Sequence, residues 1–322
     1  VGYGPYFNMG RHHAEEINST EGLKVVAICD RDPERVKQAK RDFPDVDVYT
    51  DIKKFLGNPK VEVVTIVTPH NTHKELTILS LKAEKNVVVE KPMCLTLKEA
   101  DEMINLAQKK KLMLTVYHNR RWDGDFLAIE EIVNKGIIGK VFNVEVFMGG
   151  YHPPRQWWRS EKEISGGYFY DWGAHIVFWV LALIKYKIKK IYGVSHKRVW
   201  HYVSNEDEIK SIIIFEDKEV ADIQVSSIST VPKPKWRILG EKGGISGNFG
   251  ENLKVFEYTS GGIIEKNVGV KPSQWHKFYQ NIADHLLMGE VLEITPFMGR
   301  RVIGVIEKTM ESAEKGVPLS FE

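Results

Sequence analysis

The stretch Leu23–Val36, LKVVAICDRDPERV, changes from a strand pattern to a helix start within a few residues. Its first half is a short, nearly continuous apolar run, which is typical of a strand buried on both faces of a parallel sheet. Asp32 then suits a helix N-cap, Pro33 suits the first turn, and Glu34 complements the positive end of the helix dipole. The stretch therefore predicts a strand followed directly by a helix.

The same alternation recurs further along the chain. Apolar runs at Val61–Val67, Asn86–Val89 and Leu112–Tyr117 predict further strands, and segments of helical period separate them. Thr96 and Glu99 have the spacing of a helix capping box. Strands that alternate with helices predict βαβ units, so we expect an α/β fold with a doubly wound parallel sheet in this part of the chain.

After about residue 120 the pattern changes to that of an antiparallel sheet. Residues 210–227 predict two strands, because Ala221, Ile223 and Val225 alternate with polar neighbours. Further strands are expected at 235–239 and 254–258, punctuated by the glycine pairs 243–244 and 261–262, and helices are expected at roughly 273–288 and 296–315. We therefore predict two domains: residues 1–120 with the parallel sheet, and residues 121–322 with an α+β fold and a largely antiparallel open sheet. The last helix can pack back on the first domain.

The composition narrows the classes of function. Lys and Arg number 45 against 43 Asp and Glu, without long blocks of one sign, so we expect neither nucleic acid nor a membrane as a partner. Cys29 and Cys94 suggest no disulfide framework or metal motif, which favours a reducing compartment, the cytoplasm. No apolar run reaches the length of a membrane span, about 18 residues. The chain starts at Val1 without a methionine, so we expect the natural N-terminus to lie upstream.

The first residues, VGYGPYFNMGRHH, contain a candidate dinucleotide-binding loop. Gly2 and Gly4 have the spacing of the fingerprint, but Gly10 follows after five residues instead of two. Such a loop lets the backbone approach a pyrophosphate at the N-terminus of the next helix, which Asn8 could cap. Asp30, directly after a predicted strand, is placed to accept the ribose hydroxyls. On these residues alone, a turn that binds no cofactor is an equal alternative.

Three further motifs follow in order. TPHNTH at 68–73 ends one predicted strand, EKP at 90–92 ends the next, and DWGAH at 171–175 opens a helix in the second domain. Together with the glycine loop, this order resembles the Gfo/Idh/MocA family of nicotinamide-dependent oxidoreductases, to which glucose-fructose oxidoreductase and inositol dehydrogenase belong. The resemblance extends over the whole chain, to ESAEKG at 311–316.

The resemblance implies a Rossmann domain that binds NAD or NADP, followed by an α+β domain that binds substrate. The sheet of that second domain commonly forms the interface of a homodimer or homotetramer, and the active site would lie between the domains. Members mostly oxidise a ring hydroxyl of a sugar or cyclitol, or reduce the ketone, without a metal. We expect NAD in preference to NADP because Asp30 would repel a 2′-phosphate, although Arg31 could meet one.

The catalytic residues of the family match Lys91, Asp171 and His175. Oxidation of a secondary alcohol requires a base for the hydroxyl proton, and the imidazole of His175 suits that role near neutral pH. Asp171, four residues earlier, would orient the ring or relay its proton. The Lys91 ammonium would stabilise the developing alkoxide charge.

The predicted site residues form two groups. The cofactor group comprises Gly2, Gly4, Tyr6, Phe7, Asn8, Asp30, Arg31, Thr68, Pro69, His70, His73, Glu90, Lys91 and Asn119. The substrate group comprises Lys91, Arg120, Tyr151, Trp158, Arg159, Asp171 and His175. Flat rings in the segment 151–159 can stack on a sugar while Arg159 binds its hydroxyls, or Trp157 and Trp158 can fill the seam between the domains.

Three departures from the family pattern bear on the substrate: the longer glycine loop, His70 in place of an asparagine, and Phe178 in place of a frequent aspartate. Two alternatives to a dehydrogenase stay open. One is a cofactor-binding regulator without turnover, since a fold does not fix a function, although the presence of Lys91, Asp171 and His175 argues against it. The other is redox-assisted elimination or glycoside cleavage on the same scaffold, which would need a further acid or base.

Overall fold

A computed structural model describes residues 1–4 and 7–321 of the chain. The helices are α1 (Met9–Ser19), α2 (Pro33–Asp42), α3 (Ile52–Leu56), α4 (His73–Lys82), α5 (Leu97–Lys110), α6 (Gly124–Asn134), α7 (Lys162–Ser165), α8 (Trp172–Leu183), α9 (Lys277–Met288) and α10 (Pro296–Lys315). The strands are β1 (Ala27–Cys29), β2 (Asp47–Tyr49), β3 (Val63–Ile66), β4 (Asn86–Val89), β5 (Leu114–Val116), β6 (Val141–Gly149), β7 (Ile188–His196), β8 (Glu208–Phe215), β9 (Val220–Ser226), β10 (Trp236–Gly240), β11 (Gly243–Gly247), β12 (Leu253–Thr259), β13 (Gly262–Val268) and β14 (Leu319–Ser320).

The chain forms two compact units. The first contains Val1–His118 and His276–Ile303, and the second contains Asn119–Trp275 and Gly304–Glu322. Packing therefore assigns α9 and the start of α10 to the first unit, whereas the sequence placed α9 in the second domain and allowed the last helix to pack back on the first. The domain boundary at residue 120, as a division of function, stays a prediction.

The first unit is built on parallel strands. β1 pairs with β2, and β4 pairs with both β3 and β5, always in parallel. The N-terminal residues connect the two groups, because the Gly2 N–H donates to the Cys29 carbonyl and the Val67 N–H donates to the Val1 carbonyl, both at 2.8 Å. The resulting order is that of a Rossmann-type sheet, which confirms the fold expected for this part of the chain.

Three helix caps were predicted from the sequence, and two of them form in the structure. The Asp32 carboxylate accepts the Glu34 N–H at the start of α2, and Thr96 and Glu99 form the predicted capping box at the start of α5. Asn8 precedes α1 but makes no capping hydrogen bond with its side chain, so that prediction is wrong. A capping side chain needs extended backbone at this position, whereas Asn8 has a left-handed φ of 43°.

The strand predicted at Leu23–Cys29 is paired only over Ala27–Cys29. The Leu23 N–H donates instead to the Thr20 carbonyl, and the Val25 N–H donates to Asn18 Oδ1. The start of the apolar run therefore satisfies its backbone donors on the end of α1, outside the sheet.

The second unit contains a mixed, largely antiparallel sheet, as predicted. In its described residues the strand order is β13-β12-β11-β10-β6-β9-β8-β7-β14, and only the β6–β9 pair is parallel. Ala221, Ile223 and Val225 are fully buried on one face, which confirms the alternation read from the sequence. Gly243 and Gly262 begin β11 and β13, and Gly261 lies in the turn before β13. A Cβ at Gly243 would lie 2.0 Å from the Phe256 carbonyl oxygen, so the close strand contact requires glycine there.

Candidate active site

The glycine loop has the close approaches that its fingerprint predicts. Gly2 has a φ of +94°, and a Cβ on it would lie 2.3 Å from the Val67 carbonyl oxygen. A Cβ on Gly10 would lie 2.4 Å from the Gly2 carbonyl oxygen, so Gly10 lets α1 pack on the loop. Around Gly4, by contrast, no atom of the described residues beyond its chain neighbours lies within 4 Å of an added Cβ. The first and third glycines thus serve packing, and the second borders open space.

The lengthened part of the loop has unusual backbone. Phe7 and Asn8 both have positive φ, 60° and 43°, and the Phe7 side chain is 72% exposed. The Asn8 Oδ1 is buried, and no described residue gives it a hydrogen bond. Tyr6, the third predicted residue of this segment, lies outside the described residues. α1 begins at Met9, so its N–H groups and dipole face the end of this loop.

Asp30 lies directly after β1, and backbone donors fix its carboxylate. Oδ2 accepts the Tyr3 N–H at 2.6 Å, and Oδ1 accepts the Asp32 N–H at 2.9 Å. A carboxylate has about four acceptor positions, so positions remain for ribose hydroxyls. Arg31, the residue that could meet the 2′-phosphate of NADP, is exposed. The open space at Gly4, the N-terminus of α1 and Asp30 together fit the phosphates and ribose of a dinucleotide.

Lys91 lies at the same edge of the sheet, after β4. Glu90 precedes it, and the Glu90 Oε2 accepts the Lys91 N–H at 2.9 Å. The other carboxylate oxygen, Oε1, lies 3.0 Å from His13 Nε2 in α1. The Lys91–Pro92 peptide bond is cis. The backbone N–H of Lys91 therefore donates to a carboxylate that also contacts α1, the helix after the glycine loop.

The predicted TPHNTH motif follows β3 at this edge. Thr68 and Pro69 precede a short 3₁₀ helix, His70–Thr72, in which His70 is buried. The His73 ring is fully buried, with Nδ1 2.8 Å from the Pro92 carbonyl oxygen and Nε2 2.9 Å from the Thr68 carbonyl oxygen. His73 thus joins the loops after β3 and β4, and its contact with a cofactor stays a prediction.

His118 is a residue that sequence reasoning missed. It follows β5 at the same edge and is 1% exposed. Burial, together with the nearby Lys91 ammonium, lowers the pKa of its imidazole to about 3. His118 is therefore uncharged near neutral pH. Its position directly after a predicted strand was the signal that could have found it.

In the second unit, Asp171 and His175 lie at the start of α8. Asp171 is the residue before the helix, and its Oδ1 accepts a hydrogen bond from Arg159 Nη1 at 3.0 Å. The His175 ring is 6% exposed and lies between two indoles, with ring centres 5.8 Å from Trp172 and 6.4 Å from Trp179. The hydrogen bond between Arg159 and Asp171 thus brings two predicted substrate residues into contact.

Arg120 lies in an aromatic cage that the sequence did not indicate. Its guanidinium carbon is 4.7 Å from the centre of the Trp172 ring, 5.7 Å from Phe249 and 5.5 Å from Trp275. Asp123 pairs with it at 3.0 Å, and burial raises the pKa of that carboxyl group. Asn119, predicted to contact the cofactor, is 7% exposed and starts the short helix that carries Arg120. The cage orients Arg120 by cation–π contacts.

The aromatic segment before α8 forms a platform around Arg159. Its guanidinium carbon lies 4.7 Å from the centre of the Trp158 ring and 5.4 Å from that of Trp157. Tyr151 is 54% exposed and contacts Trp200, with ring centres 5.5 Å apart. The structure therefore groups Trp158, Arg159 and Asp171, whereas Tyr151 belongs to a second aromatic pair.

Within residues 1–4 and 7–321, no group of three His, Cys, Asp or Glu side chains could hold a metal ion. Over the same ranges, no helix is long and apolar enough to cross a membrane.

Comparison with known proteins identifies the family. A model described as the oxidoreductase family with a NAD-binding Rossmann fold matches residues 1–118, and one described as the GFO/IDH/MocA C-terminal domain matches residues 126–246. The chain belongs to the GFO/IDH/MocA family. The resemblance read from the glycine loop and the three motifs is thereby confirmed.

Among curated GFO/IDH/MocA relatives, a scyllo-inositol 2-dehydrogenase (NADP(+)) of Bacillus subtilis is 29% identical over 89% of this chain and 87% of its own. A myo-inositol 2-dehydrogenase of Thermotoga maritima is 32% identical over 52% of this chain and 49% of its own. Among solved structures, a NAD-binding protein from Listeria innocua superposes with a TM-score of 0.89 at 26% identity, covering 99% of this chain and 95% of that one.

Proposed function

We propose that this chain is an NAD(H)-dependent dehydrogenase that transfers hydride to or from a ring carbon of a cyclitol, sugar or related polyol. The observation that carries the proposal is the placement of the glycine loop, Asp30 and Lys91 at one edge of the parallel sheet. Ligands of open α/β sheets bind at the carboxyl ends of the strands, where these residues lie. A bound nicotinamide would supply the hydride acceptor or donor.

The chain's own residues then handle the proton and the charge. His175 takes the proton from the substrate hydroxyl, or returns it in the reduction. The Lys91 ammonium stabilises the negative charge that develops on the substrate oxygen. Asp171 orients His175, and Arg159 fixes Asp171 by the contact at 3.0 Å. These roles follow from the family pattern and from the chemistry of each group.

The substrate class rests on two supports. Two relatives carry names of inositol dehydrogenases that act at position 2. In the second unit, Trp158 and Arg159 offer an aromatic face next to hydrogen-bond donors, a combination that suits a polyhydroxylated ring. A cyclitol such as scyllo-inositol or myo-inositol is therefore the first substrate to examine.

NAD is proposed over NADP because of Asp30. Its carboxylate is held by two backbone N–H groups, so it cannot easily turn away from a 2′-phosphate. The NADP(+)-dependent name of the Bacillus relative makes this choice a separate question for experiment.

A homodimer or homotetramer in the cytoplasm is also proposed. One face of the large sheet carries exposed apolar side chains, among them Tyr258 at 75% and Ile263 at 72% exposure. These two residues are cross-strand neighbours on β12 and β13, and the surface around them includes Arg237, Leu239 and Phe256. We call these five residues the open sheet face. A contiguous apolar surface of this kind suits association with a second copy.

The test is a screen of cyclitols, sugars and their keto forms in which the absorbance of the reduced nicotinamide reports hydride transfer. Turnover of a cyclitol or sugar supports the proposal. If NADH binds and no compound changes the absorbance, the chain is a cofactor-binding protein without turnover, and the proposal is wrong.

A further inference from the structure

A buried chain of hydrogen bonds runs through the first unit to Lys91. Thr65 Oγ1 lies 3.4 Å from the Tyr279 hydroxyl, which lies 2.6 Å from His13 Nδ1. His13 Nε2 lies 3.0 Å from Glu90 Oε1, and Glu90 Oε2 accepts the Lys91 N–H at 2.9 Å. The chain joins β3, α9, α1 and the end of β4.

The members of this chain are well buried. His13 is 2% exposed, Tyr279 is 1% exposed, and the Glu90 side chain is 12% exposed. A buried carboxylate and imidazole cost free energy unless their polar atoms are paired. One proton arrangement that pairs these atoms has Thr65 donating to the Tyr279 oxygen, Tyr279 donating to His13 Nδ1, and His13 Nε2–H donating to Glu90. Burial raises the pKa of Tyr279 well above its usual value, so its hydroxyl keeps the proton that it donates.

We infer that His13 and Tyr279 are positioning residues for Lys91, which they hold in place through the carboxylate of Glu90. The inference rests on the proposed function, in which Lys91 acts on the substrate oxygen. With one oxygen fixed by His13, the carboxylate presents its other oxygen to the Lys91 N–H in one orientation. On the far side of the lysine, His73 contacts the Pro92 carbonyl oxygen at 2.8 Å. The residues on both sides of Lys91 are thus anchored.

The consequence is that these positioning residues and Lys91 have different roles. Glu90, His13 and Tyr279 need not touch the substrate, but they set the path of the backbone from which the Lys91 ammonium reaches it. A shift of about 1 Å in a group at the reacting centre can lower a rate by about 100-fold. Because His13 lies in α1, this chain of hydrogen bonds connects the helix after the glycine loop with the segment that contains Lys91.

The test compares three substitutions of His13 that differ in where they place a donor. His13→Gln puts an amide near the position of Nε2, towards Glu90, whereas His13→Asn puts it near Nδ1, towards Tyr279. His13→Leu removes both. For the full chain with NAD⁺ and either scyllo-inositol or myo-inositol, we expect His13→Leu and His13→Asn to lower kcat by about 10- to 100-fold with KM nearly unchanged. His13→Gln should recover most of kcat.

Tyr279→Phe has a matched control in Tyr117→Phe. Tyr117 is also 1% exposed and its ring centre lies 4.2 Å from that of His13, but its hydroxyl donates to Glu16 at 2.6 Å. Both substitutions delete one buried phenol oxygen from the same unit, so their costs in stability should be similar. We expect Tyr279→Phe to lower kcat and Tyr117→Phe to leave it near the wild-type value.

Amide hydrogen exchange of Lys91 separates this inference from the proposed function, because it needs neither turnover nor substrate. We expect faster exchange of this amide in His13→Leu than in wild type or His13→Gln, at a Tm that still shows a folded protein. Unchanged exchange in a folded His13→Leu protein would overturn the inference, and so would faster exchange with unchanged kcat. A wild-type protein that transfers no hydride would instead refute the proposed function, and the exchange rates would still decide whether the network holds Lys91.

Discussion

Arg159 donates a hydrogen bond from Nη1 to Oδ1 of Asp171 at 3.0 Å, one residue before the helix that carries His175. The guanidinium group of this arginine also makes cation–π contacts with Trp157 and Trp158. An arginine stacked on indoles has little freedom to turn, so the carboxylate that it binds is fixed as well. The pair therefore connects the aromatic platform with the residues proposed to move the proton.

Replacement of Arg159 should disable this connection. We expect Arg159→Gln to raise KM for the cyclitol and to lower kcat, together a loss of about 10- to 100-fold in kcat/KM, because a charge-assisted hydrogen bond contributes about 1.5–3 kcal/mol. Arg155→Gln is the matched control, since Arg155 belongs to the same segment and is exposed. Steady-state kinetics would contradict the assignment if the two variants behaved alike.

The glycine loop allows a test that separates folding from binding. Gly4→Ala should leave Tm close to the wild-type value, because in the part of the chain that the structure describes no atom beyond the neighbouring residues lies within 4 Å of the added methyl group. It should nevertheless weaken NADH binding, since the methyl group would occupy the space of the pyrophosphate. Fluorescence titration with NADH and thermal unfolding measure the two effects.

Gly10→Ala is the contrasting variant in the same loop. Its methyl group would meet the Gly2 carbonyl oxygen at 2.4 Å, so we expect destabilisation of about 1–3 kcal/mol and a lower Tm. A Gly4→Ala protein that binds NADH as tightly as wild type would place the cofactor away from this loop.

Asp30 should decide between the two nicotinamide cofactors. Asp30→Ser removes the charge that opposes a 2′-phosphate, so we expect the ratio of NADH to NADPH affinity to fall by about tenfold or more. The Kd values of both cofactors, measured for wild type and variant, check this directly. Tighter binding of NADPH than NADH by the wild-type protein would show that Arg31 outweighs Asp30.

The open sheet face should determine the oligomeric state. Ile263→Glu places a charge among exposed apolar side chains on β13, and we expect it to shift the protein towards monomers in light scattering after gel filtration. Val291→Glu is the control, because Val291 is 82% exposed in the first unit, outside this sheet. Equal masses for both variants would exclude the open sheet face as the interface.

The sequence predicted those parts of the fold that depend on local pattern. The capping residues Asp32, Thr96 and Glu99 were recognised because they act within one helical turn. α10 has the bounds expected from its apolar period, Pro296–Lys315. Asn8 was assigned wrongly because its left-handed backbone depends on the packing of the loop, which no local pattern encodes.

The contacts within the site were less accessible from the sequence. The motifs located Asp30, Lys91, Asp171 and His175, but the partners of these residues are distant in the chain. His13 and Glu90 are separated by 77 positions, and their contact depends on the packing of α1 beside β4. The aromatic rings around Arg120 come from three separate segments. Such contacts follow from tertiary packing, and composition or spacing cannot reveal them.

The central claim is that Lys91 and His175 act on the substrate hydroxyl, which loses its proton while the carbon that bears it loses hydride. Its most direct test is kcat with NAD and scyllo-inositol or myo-inositol for wild type, Lys91→Met and His175→Gln, with Lys109→Met as an exposed lysine control. The account predicts that both site variants lose about 10²- to 10⁴-fold in kcat, the usual contribution of a positioned acid or base, while their Kd for NADH stays near wild type. Turnover close to wild type in either site variant would contradict it.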